Sequence, residues 1–202
     1  MSSRSKKWIY FLLGCFILFG TRRLYYHLTD DFRLANMTYE LPFEAPWQVP
    51  PLSFDEHQNL KDILNQKFYY IDNGVQCYAF SSEDDQYVLK FLKFNHLKPS
   101  LLIEYLPPIF SFWEYKQSCI ERKKRELIGV FNSYDLAFRE NRQISELIYL
   151  HLVPTQNLQV DVHVVDKIGL ERTIHLDDVV FLVQKKGETL RSRLRIKDIN
   201  TL

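Results

Sequence analysis

The apolar positions of this chain change period several times, and each change marks an element. From Trp8 to Gly20, "WIYFLLGCFILFG" is apolar almost without interruption, the pattern of a helix with no polar face. "SFDEHQNLKDILNQ" puts Leu60, Ile63 and Leu64 on one stripe, and Ser53 followed by Glu56 predicts a capping box at the start of that helix. Period two then takes over: "KFYYIDNGVQCYAFSSEDDQYVLKFLKF" reads as antiparallel strands separated by Asn73-Gly74 and by "SSEDD". "SYDLAFRENRQISELIYLHLV" predicts a helix from Ser133, its N-cap, to Val153, with Leu136, Ala137, Ile144, Leu147, Ile148 and Leu150 facing the core and Pro154 as the stop. After a polar loop, "QVDVHVVDK" alternates strictly and "DVVFLVQKK" carries a continuous apolar run, giving two more strands.

These elements predict an α+β fold: an antiparallel sheet of about five strands packed with one main helix, preceded by an N-terminal membrane helix. The expected organisation is a membrane anchor over 1–23, a Pro-rich extended strap over 24–54, a domain over 55–190 with an insertion at 95–132, and a tail over 191–202. Pro42, Pro46, Pro50 and Pro51 keep the strap extended, and Phe43 and Trp47 are expected to lay it onto the domain. "RSKK" and "TRR" bracket the apolar run. Its length is about 20 Å as a helix against a hydrocarbon core of ~30 Å, so crossing requires Lys7, Arg22 and Arg23 to snorkel. The rival readings are a cleaved signal peptide, for which no small-x-small site is present, a lipoprotein box "LLGC" that would acylate Cys15, and a buried soluble helix. The expected localisation is a membrane, through this single anchor. Basic residues on both sides of the run give only a slight preference for a cytoplasmic N-terminus, which leaves the side of the domain open.

Composition narrows the function classes. Hydrophobic residues at 46 % and aromatics at 15 % supply a core and exclude a disordered chain. The balance of 26 Lys+Arg against 25 Asp+Glu argues against nucleic acid as a partner and leaves the membrane and a protein as the expected ones. Cys15, Cys77 and Cys119 lack the spacing of a zinc site, the 6 histidines are scattered, and H-E-x-x-H and G-x-S-x-G are absent. No metal and no catalytic residue is therefore expected. The basic cluster Arg122 to Arg125 reads as a solvated helix face, or as a contact for acidic lipid headgroups.

One residue stands against its pattern: Lys90, inside the otherwise bulky strand "QYVLKFLKF". Taken with "YIDNGVQCYAF" before it and "SYDLAFRENRQISELIYLHLV", "VDVHVVDK" and "VVFLVQKKGE" after it, this order resembles the N-terminal lobe of a protein-kinase-like fold. "YVLKFLKF", "VVDKIGL" and "VVFLVQKKGET" also look similar to an uncharacterised membrane-anchored family of chlamydia-like bacteria. The resemblance implies that Lys90 contacts nucleotide phosphates, that Glu146 (with Glu140 as fallback) is its carboxylate partner, that Gly74 lies in the phosphate-covering hairpin, and that Val183 to Gly187 form the hinge. Departures are equally plain. Gly74 is alone where that family has three glycines, and neither H-R-D-x-x-x-x-N nor D-F-G follows Gly187 in the fifteen remaining residues. The expectation is a truncated, kinase-like binding or scaffold module without phosphotransferase activity, with ATP at most a weak ligand and no other cofactor. The alternative is a small membrane-associated α+β interaction protein with no nucleotide-related role.

Overall fold

Side-chain alternation on a central strand organises the molecule. In β3 (Tyr87–Leu92), Leu89 and Phe91 are fully buried on one face while Lys90 and Leu92 point to the other. β3 lies between β2 (Cys77–Ser82), with which it forms the expected antiparallel ladder, and β7 (Phe181–Lys185), which pairs with it antiparallel from far along the chain. The computed structural model describes residues 3–38, 47, 52–100, 103 and 110–187. Residues 39–46 and 48–51 of the expected strap, Phe43 and its four prolines included, and the tail over 191–202 lie outside the described residues.

The sheet has seven strands in the order β4-β7-β3-β2-β1-β5-β6, with β1 (Lys67–Asn73), β4 (Leu147–His151), β5 (Asp161–Val165) and β6 (Glu171–His175) completing it. β1 and β5 pair in parallel; the other ladders are antiparallel. The expectation of about five antiparallel strands is thus corrected to a seven-stranded mixed sheet. Two misread segments account for the difference. "LIYLH" belongs to β4, because the run Leu147 to Leu152 is apolar on both sides and suits a strand buried on both faces. "ERTIH" forms β6, hydrogen-bonded to β5 through a tight turn at Gly169, whose φ is 86°.

Both faces of the sheet are covered. On the first, Phe68, Phe80, Leu89, Phe91 and Val183 meet α3 (Phe54–Leu64) through Leu60, Ile63 and Leu64. The predicted capping box starts α3: the Ser53 hydroxyl accepts from Glu56 N–H at 3.3 Å, and the Glu56 carboxylate accepts from Ser53 N–H at 3.1 Å. Phe32 and Met37, around the short α2 (Leu34–Met37), fill the same core. On the second face, Leu92, Leu147, Leu150 and Leu182 meet α4 (Phe110–Glu140) through Leu127, Phe131 and Phe138, a stripe at helical spacing. Trp47 packs on Phe131, ring centroids 4.9 Å apart, and donates its indole N–H to Asn132 at 2.9 Å.

The long helix is not where the apolar pattern put it. It begins inside the expected insertion and ends at Glu140, followed by the one-turn α5 (Arg142–Ser145). Ser133 is mid-helix, its hydroxyl donating back to the Gly129 carbonyl at 2.8 Å, and Leu136 and Ile144 are exposed at 51 % and 85 %. The first helix, α1 (Ser3–Leu28), also differs from expectation: no helix among the described residues is long and apolar enough to cross a membrane. Its apolar run is too short, and Arg22 and Arg23 continue the same helix immediately after it. The N-terminal membrane anchor, and the single-anchor membrane localisation built on it, are corrected accordingly.

Candidate functional site

Lys90 stands opposite Ala79 of β2 and Leu182 of β7. Register places Tyr69, Ser81, Val88 and Gln184 on the same face. The lysine is half-buried, and its ammonium donates to the Gln184 side-chain oxygen at 3.1 Å. An ammonium has three donors, and a neutral amide oxygen leaves the charge uncompensated. No ion pair joins Lys90 to a carboxylate among the described residues. Its neighbour Lys186 is neutralised, bonded to Asp85 and, at 3.1 Å, to the Ser81 hydroxyl.

The structure does not bring the expected partner to Lys90. Glu146 follows α5 in a left-handed conformation, φ 53°, and its carbonyl accepts from Lys185 N–H at 3.0 Å as β4 joins β7. It is a turn residue outside any long helix. Glu140, the fallback, ends α4 and is exposed. Gly74 sits in the expected hairpin, but its carbonyl is taken by the Lys93 ammonium at 2.6 Å. A Cβ there would stand 3.6 Å from the nearest atom, an ordinary contact, so the turn is not built around a close approach.

Lys93, three residues beyond Lys90, is the lysine that sequence reasoning passed over. It is 5 % exposed, lies 4.2 Å from the Tyr78 ring, and fastens the hairpin a second time through its N–H to the Gln76 carbonyl at 2.8 Å. Burial pushes its pKa down. Its position just past the strand end was the available signal. Cys77 lies between the two lysines, and burial pushes its thiol up, which keeps it protonated.

Two further clusters were unreadable because their members are distant in sequence. Asp30 accepts from Tyr70 at 2.5 Å and from Lys167 at 3.0 Å; burial alone would raise its carboxyl, but those two hydrogen bonds hold it below the usual range. Next to it, the Asp31 carbonyl accepts from the Tyr78 hydroxyl at 2.6 Å and from Asn36 at 2.7 Å. At the opposite end, fully buried His151 donates from Nδ1 to the Val179 carbonyl at 2.8 Å, with Nε2 3.1 Å from the Thr155 hydroxyl. Thr155 in turn lies against Asp177, whose carboxylate accepts from the N–H groups of Leu158 and Gln159 at 3.1 and 2.7 Å. Every polar group there has a local partner, so the cluster pins a loop. No group of His, Cys, Asp or Glu among the described residues could hold a metal ion.

Comparison with known proteins finds no matching family model, no similar curated protein and no similar solved structure. Neither the kinase-like resemblance nor the bacterial one gains a relative from it.

Proposed function

We propose that the chain is a binding module without phosphotransferase activity, and that the Lys90 face of its sheet receives an anionic group of the ligand. The observation that carries this reading is a half-buried ammonium on a central strand whose hydrogen-bond partner is a neutral amide. A rigid strand fixes such a group in space, so a phosphate oxygen meets it without the cost of ordering a free side chain. A nucleotide phosphate is the anion the kinase-like resemblance supplies. Without a carboxylate to orient Lys90 or a glycine-rich backbone cradle, affinity rests on one cation and is expected to be weak.

The full chain titrated with ATP, and separately with inorganic tripolyphosphate, tests this by calorimetry. Saturable binding with Kd on the order of 1 mM is expected, weakened at least about tenfold by Lys90→Ala and much less by Lys186→Ala, with no phosphate transfer. Absence of saturable binding, or indifference to Lys90→Ala, sinks the reading. One observation favours protein recognition without a nucleotide: Tyr69, Ile71 and Val75, on β1 and the hairpin that follows it, are exposed at 42, 46 and 80 %.

A further inference from the structure

The two edges of the sheet are finished differently. At β4, the Arg142 guanidinium of α5 donates to the Leu147 and Ile148 carbonyls at 3.2 and 2.9 Å, so that edge is occupied. Beside β6, no further strand stands among the described residues. The register with β5 tells which groups are left over. Asp166 N–H donates to the Leu170 carbonyl and Leu176 N–H to the Val160 carbonyl, so Val164–Arg172 and Val162–Ile174 are the hydrogen-bonded pairs between them. The backbone N–H and C=O groups of Glu171, Thr173 and His175 therefore point away from β5. These three residues are exposed, while Ile174 is buried. Such an edge is a template for another strand.

We infer that β6 pairs antiparallel with β6 of a second copy of the chain, joining the two sheets across a twofold axis at Thr173. A twofold joint requires an edge that complements itself, and this one does. With Thr173 facing its own copy, Glu171 faces His175 and Arg172 faces Ile174. The outward-pointing residues of one copy then meet those of the other, and each such pair exchanges two hydrogen bonds. A slip by one residue would set them against groups already bonded to β5. Charge selects the same register, because no facing pair carries like charges. Glu171 already holds Lys67, and His175 already holds Asp161. Across the joint the row reads Asp161, His175, then Glu171 and Lys67 of the second copy, alternating in sign. The hydrogen bond to Asp161, with the Asp177 and Asp178 carboxylates nearby, favours the charged form of His175. An edge this short buries little area, so the dimer is weak, with Kd on the order of 0.1 mM.

Sedimentation velocity of the full chain tests the inference. Between about 10 μM and about 1 mM the chain should pass from monomer to dimer and no further. Thr173→Lys sets two ammonium groups against each other on the axis and should weaken association at least about tenfold, with the circular dichroism spectrum unchanged because the position is exposed. Thr173→Cys, with the exposed Cys15 replaced by Ser, should give a disulfide-linked dimer under mild oxidation, since facing residues of a hydrogen-bonded pair stand about 5.5 Å apart at Cα. Amide exchange at Glu171, Thr173 and His175 should slow as the concentration rises. A monomer at every concentration overturns the inference, and protection of those three amides in that monomer would show another part of the chain on the edge. An oligomer indifferent to Thr173→Lys, or one in which Thr173→Cys fails to cross-link, overturns it as well.

Discussion

Two lysines three positions apart have opposite fates, and the difference is one of partners. Lys93 is spent on structure: replacing it with Met leaves the Gly74 carbonyl without its donor, and a loss of about 1–3 kcal/mol in urea unfolding is expected, with faster amide exchange at the hairpin tip. Two histidines give the molecule a pH dependence of opposite signs. Burial holds His151 below its ordinary pKa of 6.5, so below about pH 6.5 the unfolded chain takes the proton more readily than the folded one. Stability from this group is full above that pH and falls as the pH drops. The hydrogen bond to Asp161 raises His175, so its contribution is present below its unfolded pKa and fades as the pH rises through the raised folded value; the exposed position keeps it small. Urea midpoints between about pH 5 and 8 should therefore lose their acid-side decline in His151→Gln and their smaller alkaline-side decline in His175→Gln.

At the scale of elements, the register of α4 separates the apolar pattern from the fold. Phe131→Ala should cost about 3–5 kcal/mol, because the ring is fully buried between Trp47 and Phe94, whereas Leu136→Ala should stay within about 0.5 kcal/mol. The sequence pattern requires the reverse emphasis, since it placed Leu136 on the core face. Legibility followed the range of the forces involved. The Ser53 capping box and the strands either side of Asn73-Gly74 are set by neighbours, and they were readable. β4 was not, because "LIYLH" is a strand only by virtue of β7, whose pairing residues arrive 30 to 37 positions later. Of the candidate site, Lys90 and its half-buried face were legible from alternation. Its partner was not: Gln184 reaches it through the β3–β7 ladder, while Glu146 follows a one-turn helix whose end no periodicity marks and forms no ion pair with Lys90.

For the whole molecule, the topology sets how the chain assembles. The central ladder joins residues 87–91 to 181–185, so much of the chain must be ordered before the middle of the sheet exists. Refolding from urea is expected on the millisecond-to-second scale in stopped-flow fluorescence, and a microsecond phase carrying the full amplitude would contradict this dependence on distant pairing. The parallel contact of β1 with β5 has a further consequence. Among the described residues its ladder has three residue pairs, from Lys67–His163 to Tyr69–Val165, and beyond them β5 and β6 are held by the Lys67–Glu171 ion pair and by the core that Val162, Val164 and Ile174 share with Phe68. That ladder is a seam along which the sheet can part into a five-strand body and a two-strand flap. Amides of Val162, Val164 and Ile174 should then exchange with solvent well before those of Leu89, Phe91 and Val183, so that the molecule loosens from one edge while its lysine-bearing centre stays closed.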